Sequence, residues 1–167
     1  MCLVRHWNSI FKIEDPFTMT ENNSLTTLPT LPSEWMVEFM FKPTNYDNPD
    51  WTSIFHMTIG GNKGNMGDRN PALFFRPSQG FYFVSSALTN YFTLFPAPTV
   101  DKWTKLRLSE ELQNEKIKLK FFNDDEEMLS VDNSNAVGFK DIKVYASDPW
   151  YAAQPGFIKN LSIKIKR

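Results

Sequence analysis

The chain has 167 residues, enough for one domain to bury a sizeable core without disulfide or metal staples. Its formal charge is −1 and its 18 Lys and Arg are dispersed, so the phosphate-neutralising surface that nucleic-acid binding requires is not evident. The lone cysteine, Cys2, can form neither an internal disulfide nor a metal cluster, and no run approaches the roughly 20 apolar residues of a membrane helix.

Aromatics make up 15% of the residues, with 15 Phe and 11 Pro, a balance that fits a β-rich chain with many turns better than a helical bundle. "HWNSIFKI" near the start supplies a first strand, and residues 14–34, rich in Thr, Asn and Pro, are expected to form a long irregular connection. In "WMVEFMF" (35–41), Trp35, Val37, Phe39 and Phe41 share one face, which predicts a strand with one buried side. "WTSIFHMTI" (51–59) reads as another strand. "ALFFRPSQGFYFVSS" (72–86) reads as a hairpin turning at Arg-Pro-Ser-Gln-Gly. "KWTKLRLS" (102–109) predicts a strand, and "SEELQNE" (109–115) a helical turn or two. Trp35 and Trp103, each leading a periodic run, are assigned to the core. In "KIKLKFF" (116–122), Ile117, Leu119 and Phe121 alternate with lysines, the clearest period of two in the chain. "FKDIKVYA" (139–146) and "FIKNLSIKIK" (157–166) complete the set.

Eight or more short strands joined by polar turns imply a single all-β domain over residues 1–167, an antiparallel two-sheet sandwich or closed barrel, because each sheet must bury its apolar face against another. The C-terminal half runs in a recognisable order of strands and turns: Trp103 opening "WTKLRLS", then "KIKLKFF", the acidic turn "NDDEE", "VGFKDIKVYA" and a closing "GFIKNLSIKI". With the earlier "LPSEWMVEFMFKP", it resembles the concanavalin A-like jelly-roll superfamily, particularly laminin-G-like and pentraxin-like domains, over about residues 25–167. "GDRNPALFF" and "KVYASDPWY" are similar to stretches of secreted adhesive or matrix proteins of invertebrates. The resemblance implies a concanavalin A-like β-sandwich that binds a glycan, a glycoprotein or a matrix protein through rim loops or a concave sheet, with calcium optional. It implies a secreted protein whose signal peptide is not present in this sequence.

Two loops carry the candidate site. "GGNKGNMGDRNP" (60–71) combines backbone freedom with Asn62, Asn65, Asp68, Arg69 and Asn70, groups that hydrogen-bond hydroxyls or present oxygens to calcium. The plainer reading, and the default for such a loop, is a wet hairpin connection. In "SDPWY" (147–151), Asp148-Pro149 marks a turn that leaves Trp150 and Tyr151 on a loop, where an indole can stack on the C–H face of a pyranose while Asp148 fixes hydroxyls. The default here is a Trp150 that plugs the open end of the sandwich. Trp51 is either a rim aromatic or the first core residue of its strand. "NDDEEM" (123–128) lacks the glycine and alternating ligand spacing of a calcium loop and reads as a solvated hairpin turn.

Enzymatic readings fare poorly. The paired carboxylates of a glycosidase strand, a His-Glu-x-x-His zinc pattern and a Gly-x-Ser-x-Gly elbow are all missing, and His6 and His56 read as ordinary strand residues. The expectation is a non-enzymatic glycan-binding or matrix-adhesion module. Its rival is a structural or self-associating interaction domain without a sugar site.

Overall fold

A computed structural model describes residues 6–88 and 91–167; Cys2 lies outside the described residues. The strands are β1 (Trp7–Ile13), β2 (Phe17–Thr18), β3 (Asn23–Leu31), β4 (Trp35–Pro43), β5 (Thr52–Thr58), β6 (Ala72–Arg76), β7 (Gly80–Ser85), β8 (Tyr91–Phe95), β9 (Thr104–Gln113), β10 (Lys116–Asn123), β11 (Glu126–Asp132), β12 (Phe139–Ser147), β13 (Ala152–Ala153) and β14 (Gly156–Lys166). They form two sheets. The first runs β1-β14-β4-β9-β10-β11 with β2 against β14, and the second runs β3-β12-β5-β6-β7-β8 with β13 against β5. All pairings are antiparallel except β13 with β5, where Ala152 and Ala153 lie parallel to Thr52 and Ser53.

The period-two reading of β4 holds: Trp35, Val37, Phe39 and Phe41 are buried, and their alternates face outward. Facing rings lock the two sheets together, with Phe39 against Phe55 at 5.6 Å, Phe41 against Phe81 at 5.9 Å, and Phe83 and Phe95 against Phe121 at 5.6 and 4.7 Å. Each such ring removes enough apolar area from water to stabilise the fold by about 1.5–3 kcal/mol. The core is therefore the aromatic layer between the sheets.

Three expectations are corrected. The segment 14–34 is not irregular: it contains β2 and the nine-residue β3, which pairs along β12 from Leu31↔Phe139 to Asn23↔Ser147. Its Pro29 is tolerated because β3 is an edge strand. "SEELQ" is not helical but extends β9 to Gln113, because a two-residue turn at Asn114-Glu115 returns the chain directly into β10. Trp103 is not in the core; it precedes β9 half-buried, with the Lys42 and Lys159 ammoniums 5.4 and 4.4 Å from its ring centroid.

β5 positions the site. Its inward residues, Phe55 and Met57 among them, enter the central core, yet all seven of its residues are buried. The outer side is covered by a second, smaller aromatic layer built on Ala72, Phe74 and Val84, with Trp51, Tyr82 and Tyr151 packed against them.

Candidate functional site

The site lies over that outer layer, where the segment after β5 meets the segment after β12. Thr58, the last residue of β5, fastens the start of the first loop: its hydroxyl donates to the Gly61 carbonyl at 2.7 Å and accepts the N–H groups of Gly60 and Gly61. Asp68 closes the same loop on itself. Its Oδ2 accepts the N–H groups of Lys63 and Asn65 and the Asn65 side-chain amide at 3.1–3.2 Å. A Cβ at Gly61 would meet Asp68 Oδ1 at 2.3 Å, so the tight approach of loop and carboxylate requires glycine there. Arg69 donates through Nε to Asn62 Oδ1 and through Nη2 to the Asn62 carbonyl, with its guanidinium 5.8 Å from the Phe74 ring centroid. The loop is a folded, internally bonded structure rather than a loose connection.

The second loop is held by Asp148. Its Oδ1 accepts the N–H groups of Trp150 and Tyr151, each at 3.0 Å, and its own N–H donates to Ser53 Oγ at 3.0 Å. This Asx-type turn aims the two aromatics. Tyr151 goes down onto Phe74 at 5.1 Å and lies 6.3 Å from Trp51. Trp150 stays 42% exposed, with its ring centroid 5.5 Å from that of His56. It is not a plug at the end of the core.

His56, read from sequence as an ordinary strand residue, connects the two loops. It is fully buried, with Nδ1 2.8 Å from Asp148 Oδ2 and Nε2 2.7 Å from the Asp68 carbonyl oxygen. A carbonyl only accepts, so Nε2 carries a proton and donates it. One imidazole thus ties the backbone of the first loop to the side chain that shapes the second.

The result is a cleft of about 350 Å³ between the loops, walled by Gly60, Gly61, Asn62, Lys63 and Asn65 on one side and Trp150 on the other. Of the residues singled out from sequence, Asn62, Asn65, Asp68 and Trp150 line this cleft, although Asp68 is 6% exposed. Trp51 and Tyr151 sit on the adjoining aromatic layer. Trp51 is outside β5 and not its first core residue. Asn70 and Asp148 are turned inward, 1% and 0% exposed. Sequence reasoning missed His56, Tyr82 and Arg76. Tyr82 packs edge-on against Trp51 at 4.8 Å, and burial raises its hydroxyl pKa. The Arg76 guanidinium lies 5.1 Å from the Trp51 ring centroid. The signal was present, since Phe74, Arg76 and Tyr82 alternate with the inward Leu73, Phe75, Phe81 and Phe83, and aromatics on both faces of a hairpin mean that both faces are covered.

No family model and no curated protein sequence matches the chain. Solved structures do. The carbohydrate-binding module, CBM40, of a Ruminococcus gnavus IT-sialidase, bound to α2,3-sialyllactose, superposes with a TM-score of 0.58 at 15% identity, covering 93% of this chain and 92% of that one. Domain 4 of AbnA, an extracellular arabinanase of Geobacillus stearothermophilus, in complex with arabinotriose, gives 0.55 at 16% identity over 92% and 83% of the two chains. The carbohydrate recognition domain of Emp46p gives 0.54 at 14% identity over 95% and 87%. The chain shares their fold, an antiparallel two-sheet jelly-roll sandwich.

Proposed function

We propose that this protein is a non-enzymatic glycan-binding module that takes a saccharide in the cleft between residues 60–68 and Trp150. The observation that carries the reading is a tryptophan left 42% exposed yet fixed by two backbone hydrogen bonds to Asp148, beside a cleft lined by amides. An indole held in place loses little freedom when a pyranose C–H face stacks on it, and the polar residues Asn62, Lys63 and Asn65 line the cleft opposite it. The sandwich fold shared with carbohydrate-binding modules supports the same reading. Matrix adhesion and an extracellular location are parts of this proposal. The two buried carboxylates beside the cleft are occupied by internal donors: Asp148 by two N–H groups and His56, and Asp68 by three N–H groups. Neither is disposed for general acid or nucleophile work, and Asp68 Oδ2 is taken up by three N–H donors that fold its own loop, the surroundings of a structural carboxylate. The saccharide is therefore proposed to bind without calcium.

A glycan array probed in calcium, in EDTA, and with Trp150→Ala tests this. Binding should survive EDTA and fall at least about tenfold in the variant, as expected for loss of one stacking platform. Silence on the array, or full binding by Trp150→Ala, would overturn it. Self-association is favoured by one observation, the exposed Ile59 and Met66 at 46% and 45% on and beside the same loop. A concentration-dependent sedimentation coefficient abolished by Ile59→Ser/Met66→Ser would support that alternative.

A further inference from the structure

The outer face of the first sheet, on the opposite side of the sandwich from the Trp150 cleft, sorts its cations into two kinds. Some are neutralised by carboxylates: Lys164 by Glu38 at 2.6 Å, Lys105 by Asp125 at 3.0 Å, Lys116 and Lys118 by Asp132, and Lys120 by Glu111 and Glu127 at 3.4 and 3.6 Å. The others lie against aromatic rings. Arg107 lies 3.7 Å from the Phe122 centroid and Lys166 4.8 Å from that of Trp7, and two cations converge on a single ring, Lys42 and Lys159 at 5.4 and 4.4 Å from Trp103. Lys42 also lies 5.2 Å from the Phe157 ring. Neither Lys42 nor Lys159 forms an ion pair with any described carboxylate.

This convergence is built by the sheet. Lys42 on β4 and Lys159 on β14 occupy outward positions of paired strands, where Phe157 pairs with Lys42 and Lys159 with Met40. Trp103, in the segment entering β9, lies against them. Two ammoniums held at one indole repel one another, and the ring's negative face offsets only part of that. An anion resting on both would neutralise them, while Trp103 and Phe157 offer apolar ring surface beside it.

We propose that this face binds an acidic polysaccharide, whose carboxylate or sulfate groups are taken by Lys42 and Lys159 and whose sugar rings lie against Trp103 and Phe157. The carboxylates of Glu38, Asp125 and Glu127 share the face, which favours a polymer with one charge every sugar or two over nucleic acid. Duplex DNA carries a charge about every 1.7 Å and would meet those carboxylates along its length.

The test is isothermal titration of the folded protein with a hyaluronan hexasaccharide, a heparin hexasaccharide, a neutral cello-hexaose and a single-stranded oligonucleotide, each at two salt concentrations. In the Trp150→Ala background, where the cleft lacks its stacking platform, at least one acidic saccharide should bind, the neutral one should not, and Lys42→Gln/Lys159→Gln should weaken binding at least about tenfold and flatten its salt dependence. Lys42→Arg/Lys159→Arg should retain it. Binding is measured without the Trp150 platform, so failure here and failure of the Trp150 cleft are read separately. Circular dichroism of each variant, with the Arg pair retaining charge, distinguishes a lost site from a lost fold. Equal affinity of the Gln pair, equal binding of the neutral sugar, or tighter binding of the oligonucleotide overturns the assignment.

Discussion

Glu110 shows how one buried group makes stability depend on pH. It points inward from β9, 1% exposed, and burial pushes its pKa from 4.5 up to about 7, while the Asn133 amide at 2.7 Å draws it partly back. With the folded value above the unfolded one, the unfolded chain releases this proton first as pH rises. The contribution is therefore fully present below about 4.5, is lost as pH climbs through about 7, and amounts to on the order of 3 kcal/mol. Glu110→Gln keeps the neutral form at every pH, so urea denaturation of the variant should lose less stability than the wild type between about pH 4.5 and 8. Parallel stability curves would show that Glu110 does not titrate in this window. The tryptophans show what sequence did and did not reveal about single residues. Trp35 was legible because it shares the parity of Val37, Phe39 and Phe41. Trp103 was misread although its parity was visible: Leu106 and Leu108 point inward, so an odd-numbered Trp103 falls on the opposite face.

Strands with a strict period of two were legible, and those whose pattern is bent by bulges or turns were not. β3 buries Leu28 and Leu31 at a spacing of three, and its partner β12 shifts register at Val144/Tyr145 and again before Ser147, so alternation over 14–34 is broken where the chain is nonetheless a strand. The Glu-rich end of β9 suggested helix because charges spaced along a helix look like charges spaced along a wet strand edge. In the structure they serve cross-strand pairs, Glu111 opposite Lys118 and 3.4 Å from the Lys120 ammonium. The turn that decides the matter, Asn114-Glu115, has φ of 51° and 65°, the left-handed pair of a type I′ hairpin. Asn tolerates this conformation, whereas Glu adopts it at a cost that glycine avoids. Glu115→Gly should therefore raise stability by about 0.5–1 kcal/mol and increase the thermal midpoint, and a lowered midpoint would refute the turn assignment. The acidic Asp124-Asp125 turn repeats the geometry, with φ of 47° and 67°, and Asp124 Oδ1 accepts the Lys105 N–H.

The two candidate loops were each legible as polar or aromatic segments, but their meeting was not, because it depends on pairing between strands far apart in the chain. His56 and Asp148 are 92 positions apart and touch only because β12 and β5 are neighbours in one sheet, with Tyr145 opposite His56. No local period encodes such a contact, and the histidine that makes it sits in a run whose every residue is buried. The sandwich thus supplies a rigid floor, β5, from which one side chain fixes both walls of the cleft. Leaving a buried polar group without its hydrogen-bond partner costs about 1–3 kcal/mol, a sizeable part of the roughly 5–15 kcal/mol that typically holds a domain together, so His56→Leu should remain folded with a lower midpoint. Its defining effect should be local. Hydrogen exchange at the Trp150 and Tyr151 amides, which depend on Asp148 Oδ1, should accelerate more than exchange in β9 and β10, and saccharide binding at the cleft should fail while the Lys42 and Lys159 face keeps its behaviour. If both amides stay as protected as in the wild type, His56 fills space beneath Trp150 without setting the loop, and the cleft owes its shape to the Asp148 turn and the Asp68 loop independently.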